Sequence, residues 1–291
     1  MSQERSGNAS TDTASGDDAG DEQPDQEDIL RTQLRHGLSE LNRPRDGLFL
    51  SALSAGLDIG FGPLLMAVML TVTEFSFSSP IAKELLMANA YAFGFILVVM
   101  GRSELFTEHT TLAVLPVLDR QATVGQLGRL WGLVYLGNIV GGVVFASSIV
   151  WVGPALGIVE PKAFVEIATA LTDHSMEVLL AAGVLAGWLM GLLSWLVAAA
   201  QETVSRLLFV WLIATVIGFA HLPHSIAGTV EVLAGVFASP EVTLGDFGRF
   251  LVASTIGNVI GGSVFVALLK YSHVVRSGPA EGLDETETAV E

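Results

Sequence analysis

The sequence predicts an all-α membrane protein: six transmembrane helices in an inverted 3+3 repeat, with the second and fifth helices broken. Three observations lead there. Of the 291 residues, 51% are hydrophobic and only 15% are charged, whereas a soluble chain carries about a quarter of its residues charged. Six stretches, roughly 48–73, 86–117, 130–156, 177–199, 206–238 and 246–270, are apolar over the length of a bilayer crossing. One phrase occurs twice, LGNIVGGVVF at 136–145 and IGNVIGGSVF at 256–265, 120 residues apart. Three spans separate the copies, so the second copy must enter the membrane upside down.

In chain order, residues 1–28 form a tail crowded with acids, and residues 273–291 form a second one; both read as solvated and disordered. Acidic, lysine-poor termini on a chain of net charge -16 hint at a halophilic source. No basic stripe points to a nucleic-acid partner, and the absence of cysteine removes disulfides and thiolate metal sites. The N-terminus has neither the basic region nor the short apolar run of a signal peptide. Residues 29–45 place Ile29 or Leu30, Leu34, Leu38 and Leu41 near helical spacing among charges, an amphipathic helix at the membrane face that serves as an interfacial anchor, a gate or an oligomer contact. Residues 46–272 form the six-span domain. With both termini in the cytoplasm, the cytoplasmic side carries most of the arginines, Arg43, Arg45, Arg120 and Arg206 among them. The opposite side carries only Lys83, Lys162 and Arg249. That asymmetry predicts a multi-pass plasma-membrane protein with both ends inside.

The repeated phrase sits in spans three and six. Its glycines, Gly137, Gly141 and Gly142 with Gly257, Gly261 and Gly262, allow close helix approach, and Asn138 and Asn258 are expected to hydrogen-bond across helices. Spans two and five are too long for one straight crossing, and each holds a polar cluster at mid-length: GRSELFTEHT, with Arg102, Glu104, Thr107, Glu108 and His109, and GFAHLPHSIAG, with His221 and His224. Two half-helices joined by a non-helical loop account for both features, provided the loop lines a cavity. Pro223 withdraws a backbone N–H and interrupts the fifth span, and Thr107 or Thr110 is expected to cap the half-helix in the second. Half-helix N-termini meeting at mid-depth suit a small anion. An ionisable side chain there is costly and marks function. His221 and His224, three apart, share a face if the segment is helical. Histidine can offer a proton or a hydrogen bond to a weak-acid anion in an apolar pore. Arg102 pairs with Glu104, Glu108 or Asp58, or else faces the lumen and attracts anions.

These residues resemble the formate/nitrite transporter family. ELFTEHT is similar to its Leu-Phe-Thr loop in the second span and HSIAG to its central-histidine phrase in the fifth. The two GN-x-x-GG phrases are similar to its third and sixth spans, in family order over roughly 45–272. Leu222 and Pro223 stand where many members have Phe-Glu, Gly187 where many have Asn, and Gly228 where the histidine phrase ends in Asn. Together with the extra charges Arg102 and Asp58, these differences mark a divergent branch. The resemblance implies an aquaporin-like protomer with its own pore, assembled as a homopentamer. It also implies that His224 is the central histidine, that Thr107 lies on the mobile loop beside it, and that Leu105 and Phe106 help form a hydrophobic constriction. The expected function is transmembrane transport of a small monovalent weak-acid anion of the formate or nitrite type, with a proton or without one, by a protein that is not an enzyme and holds no cofactor. An aquaporin-like channel for neutral solutes remains the alternative, although paired Asn-Pro-Ala phrases are lacking. A metal site built from His109, His221, His224, Glu104 and Glu108 has no recognisable ligand spacing, and a non-transporting scaffold has no use for polar groups at mid-depth.

Overall fold

A computed structural model describes residues 24–73 and 79–277, so most of the expected acidic N-terminal tail and the C-terminal tail from residue 278 lie outside the described residues. Helix α1 spans Gln26–Leu41 and begins where the side chain of Asp25 accepts the Asp28 N–H at 2.8 Å. The first crossing is α2 (Arg45–Asp58) followed by α3 (Phe61–Thr73), and the second is α4 (Pro80–Gly101). A loop leads to the short helices α5 (Phe106–Leu112) and α6 (Leu115–Leu118). Then follow α7 (Val124–Ala155), α8 (Pro161–Thr172), α9 (Met176–Ala199) and α10 (Thr203–Phe219). A second loop precedes α11 (Ala227–Ala238). The described residues end with α12 (Leu244–Ile260), a π-helical segment (Gly261–Leu268) and α13 (Leu269–Ser277).

Among the described residues five helical stretches are long and apolar enough to cross a membrane: Arg45–Val72, Pro80–Gly101, Val124–Ala155, Met176–Ala199 and Leu244–Ser277. The sixth crossing is the pair α10 and α11, each too short alone. Outward-facing Leu50, Trp151, Leu208, Leu212 and Val252 are exposed and apolar, as a surface against lipid tails requires.

The repeat extends beyond the quoted phrases. Both α7 and α12 open on a capping box, Thr123 with Gln126 and Thr243 with Asp246. Equivalent positions Tyr135 and Thr255 meet each other, hydroxyl to hydroxyl, at 3.0 Å, which puts them near the axis relating the two halves. In the first half α7 packs on α2, where a Cβ on Gly56 would stand 2.2 Å from the Asn138 carbonyl oxygen. In the second half α12 packs on α9, where a Cβ on Gly187 would stand 2.2 Å from that of Asn258. Such backbone approach is what the glycines permit.

Three features depart from the sequence expectation. The second span is not divided evenly: α4 runs for 22 residues before the break and α5 for only 7. The first span is also interrupted, because Pro63 cannot donate to the Ile59 carbonyl, which instead accepts from Gly62 N–H at 3.1 Å. Helix α1 does not lie free on the surface. Gln33 donates to the Ser194 carbonyl at 2.6 Å, Ile29 and Leu30 pack with Leu115, Trp195 and Ala267, and Gly37 sits against the Leu112 carbonyl.

Asn138 and Asn258 carry the polar cost of both loops. The Asn138 side chain accepts from Phe106 N–H at 2.8 Å and donates to the carbonyls of Glu104 at 2.8 Å and Ala52 at 2.7 Å. Asn258 repeats this, accepting from Ser225 N–H at 2.8 Å and donating to Pro223 and Gly183, each at 2.9 Å. Replacing either by Leu strands three buried backbone groups. Asn138→Leu and Asn258→Leu are each expected to lower stability by about 3 kcal/mol or more, read as the unfolding midpoint in detergent; an unchanged midpoint would show that the loops hold themselves.

Candidate functional site

The two loops bend in the same way. The residue after α4, Arg102, adopts the left-handed conformation at φ 56°, and so does its equivalent after α10, His221, at φ 48°. This turn is why His221 and His224 do not share a face. His221 is exposed and its Nε2 lies 3.0 Å from Glu84 Oε2 on α4, while the ring of His224 is buried in the protein's centre. Within each loop the asparagine grips the residues on either side of one position, Leu105 in the first half and His224 in the second. Leu105 immediately precedes α5, and His224 lies three residues before α11.

His224 caps its own helix: Nδ1 accepts the Ala227 N–H at 3.1 Å, and the His224 carbonyl accepts from Gly228 N–H at 2.8 Å. With Nδ1 engaged as an acceptor, the ring proton belongs on Nε2, which lies 2.7 Å from Thr107 Oγ1. Both nitrogens are used in the pattern of a neutral imidazole, with Nε2–H as the donor. Thr107 does not cap α5, nor does Thr110, whose hydroxyl donates to the Thr107 carbonyl at 2.7 Å; the Phe106 N–H is taken by Asn138. The Thr107–His224 bond thus joins the two broken loops.

Three residues of α4, spaced one turn apart, mark a path past this bond. Tyr91 lines a cavity of about 170 Å³ on one side and Val99 lines a cavity of about 450 Å³ on the other. Phe95 lies between them, fully buried, with its ring edge-on to His224 at 4.9 Å between centroids. Leu105 is fully buried in the same apolar core. Phe106 turns toward α7, its ring 4.9 Å from Tyr135 and 5.9 Å from Trp131.

The larger cavity opens beside α1 and collects Gln33, His36, Arg102, Glu104, Glu108 and Arg206. Arg102 lines it as an exposed side chain, with no ion pair among the described residues. The ionic partner of Glu104 is instead Arg43, at 2.8 Å, which also reaches Glu40 at 3.0 Å; the other Glu104 oxygen lies 2.6 Å from His109 Nε2. Asp58 is hydrogen-bonded by Ser54 at 3.0 Å and Ser103 at 3.4 Å. The smaller cavity, on the far side, holds the ion pair Lys83–Glu166 at 3.1 Å and the His221–Glu84 hydrogen bond at 3.0 Å. His109, His221, His224, Glu104 and Glu108 are therefore split among three places. Among the described residues no cluster of three His, Cys, Asp or Glu side chains could hold a metal ion.

The sequence reading missed Tyr91 and Phe95, which look like any aromatic residues of an apolar span. It also missed Arg43 and Glu84, whose partners are distant in sequence, and Glu231. For Glu231 a signal did exist: it is the acid in the otherwise apolar phrase AGTVEVLAGVFA.

Residues 27–272 match the model of the formate/nitrite transporter family. The inner membrane protein YfdC of Escherichia coli (strain K12) is 33% identical over 82% of this chain and 75% of its own. The nitrite transporter NirC of the same organism is 29% identical over 84% and 90%. A solved FNT family ion channel superposes with a TM-score of 0.72 at 27% identity, covering 87% of this chain and 98% of that one. A pentameric formate channel solved with formate bound superposes at 0.68 and 22% identity over 79% and 98%, a likeness of fold. Two inverted halves, two polar loops meeting at mid-depth and matches running through all six crossings have one account: the chain belongs to the formate/nitrite transporter family, as a multi-pass membrane transport protein and not an enzyme.

Proposed function

We propose that each protomer conducts a small monovalent weak-acid anion of the formate or nitrite type, past His224 and Thr107, between the two cavities. The observation that carries this reading is the Thr107–His224 hydrogen bond, wholly buried between a cavity of about 450 Å³ and one of about 170 Å³. In this state Nε2–H is donated to Thr107. An arriving anion takes that donor in exchange and also accepts from the Thr107 hydroxyl, whose own proton the bond to His224 does not use, so dehydration in the apolar segment is offset in part by two hydrogen bonds. Phe95 and Leu105 exclude solutes that bring their water with them. Thr107 stands in the first turn of α5 rather than on the loop itself; that turn yields while the anion passes, and the Arg43–Glu104–His109 chain ties the movement to α1.

The side bearing α1 is assigned to the cytoplasm, with both termini there. Arg43, Arg45, Arg102 and Arg206 cluster on it, against Lys83, Lys162 and Arg249 opposite. Arg102 and Arg206 then draw anions into the cytoplasmic cavity. A homopentamer is the proposed assembly, in keeping with the pentameric formate channel that shares the fold.

In proteoliposomes given a formate or nitrite gradient, wild-type protein is expected to admit the anion in a stopped-flow assay. Water or glycerol passing without either anion would favour the neutral-solute reading. His224→Ala is expected to lower anion flux about tenfold or more, because a hydrogen bond to a charged group is worth about 1.5–3 kcal/mol. Thr107→Val should lower it too, and Thr107→Ser should preserve it. Phe95→Ala, which opens the apolar segment, is expected to raise glycerol permeation several-fold in an osmotic swelling assay; unchanged swelling would move the barrier elsewhere.

A further inference from the structure

The cavity on the side away from α1 is lined by six polar residues: Lys83, Glu84 and Tyr91 from α4, Glu166 from α8, His221 from the second loop and Glu231 from α11. Each basic group among them is already paired. Lys83 Nζ lies 3.1 Å from Glu166, and His221 Nε2 lies 3.0 Å from Glu84. Glu231 is left over. Its side chain belongs to a helix in which Val230, Val232, Leu233 and Ala234 are all buried. It is itself only 4% exposed, and its buried Oε1 has no hydrogen-bond partner among the described residues.

A carboxyl group held this way is expensive as structure alone, because packing would be served as well by Leu or Met and no hydrogen bond compensates the burial. An ionised carboxylate would in addition repel the anion that the pore conducts. A neutral carboxylic acid repels nothing and has one O–H to give. It also faces water through the mouth where Glu84 and His221 sit, so a proton lost there can be replaced.

We propose that Glu231 is the proton donor of the far cavity, binding a weak-acid anion there and handing it a proton before it meets Phe95. The Glu231 O–H bond breaks and an O–H bond forms on the anion, leaving a Glu231 carboxylate and a neutral acid. The neutral acid crosses the apolar segment at a lower desolvation cost than the anion. Glu231 then recovers its proton from solvent through the mouth of the cavity. In the reverse direction the carboxylate takes the proton back. This rests on the transport reading above and adds the site at which substrate and proton meet. His224, committed to Ala227 through Nδ1, supplies a hydrogen bond on the same path.

The test uses formate as the probe, in proteoliposomes holding full-length wild type, Glu231→Gln or Glu231→Asp, with flux read at several pH values and internal proton uptake read with a pH-sensitive dye. Wild type is expected to move formate faster toward acid pH, with protons accompanying it. In E231Q, which keeps shape and hydrogen bonding without a titrating group, flux at acid pH should fall about tenfold or more, the pH profile should flatten and proton uptake should be lost. E231D, which keeps the acid, should retain the acid-side rise at lower amplitude, and it carries the test if E231Q fails to assemble. A wild-type pH profile in E231Q, or a flat one in an assembled E231D, overturns the proposal while leaving anion transport standing. Absence of any anion flux in wild-type vesicles overturns the transport reading and this one with it.

Discussion

A helix broken in the middle of an apolar slab must find partners for its freed backbone groups, and the rest of this protein is arranged around that requirement. Water is not at hand to satisfy them, and each unpaired group would cost several kcal/mol. Asn138 and Asn258 meet the need with one side chain per loop. Each reaches one N–H and one carbonyl of the loop and a third group on the neighbouring helix. An asparagine can do this only if its helix comes within reach, which is why it occurs inside a run of glycines. Gly137 and Gly141 bring α7 onto α2, and Gly257 and Gly261 bring α12 onto α9. The repeated phrase is thus one device, in which close packing and loop satisfaction depend on each other.

That device holds two equivalent positions at the protein's centre and leaves their chemistry open. In the first half the position is Leu105, which is apolar and makes no side-chain cap. In the second it is His224, which caps α11 through one nitrogen and presents the other to Thr107. A scaffold with near two-fold symmetry thereby acquires one polar spot on one side of its axis and an apolar one on the other. The same holds for the left-handed turns that open the loops: Arg102 faces the cavity beside α1 and His221 the far cavity. Geometry is shared between the halves, while charge is distributed separately.

Much of this could be read from the residues. The repeat, its inversion, the two interrupted spans and the importance of Asn138 and Asn258 follow from spacing and from the cost of polar groups in an apolar run. The misplaced expectations share a cause. His221 and His224 share a face only if their segment is helical, and pairing with Glu104, Glu108 or Asp58 is one of two readings of Arg102, the other placing it at the lumen, where it lines the cavity beside α1. The shared face and the pairing both assume regular backbone at a place where the chain turns through a left-handed residue. The break at Ile59 went unnoticed although Gly60, Gly62 and Pro63 mark it, because the apolar run continues through it without a polar residue. Phe95 could not be singled out at all. Nothing about an aromatic in a 22-residue apolar helix tells which side of it meets the centre until the opposing loop is in place.

The two cavities differ in what they would do to a passing anion. Beside α1, Arg102 lines the wall as a cation outside any ion pair among the described residues, and Glu104 is partnered by Arg43 and His109. In the far cavity Lys83 and His221 each face a carboxylate, and a further carboxyl is left over. A path built only to attract anions would carry the same sign at both ends. Unlike ends suit a path on which the travelling species changes charge, an anion where arginine faces the lumen and a neutral acid where a buried carboxyl does. The barrier between them favours the same division: Phe95 and Leu105 add no polar group, so the hydrogen bonds from His224 and Thr107 offset desolvation more fully for a small neutral acid than for an anion. On the proposed reading, the unequal cavities and the apolar segment joining them are parts of a single arrangement in which moving charge and moving substrate are separate tasks.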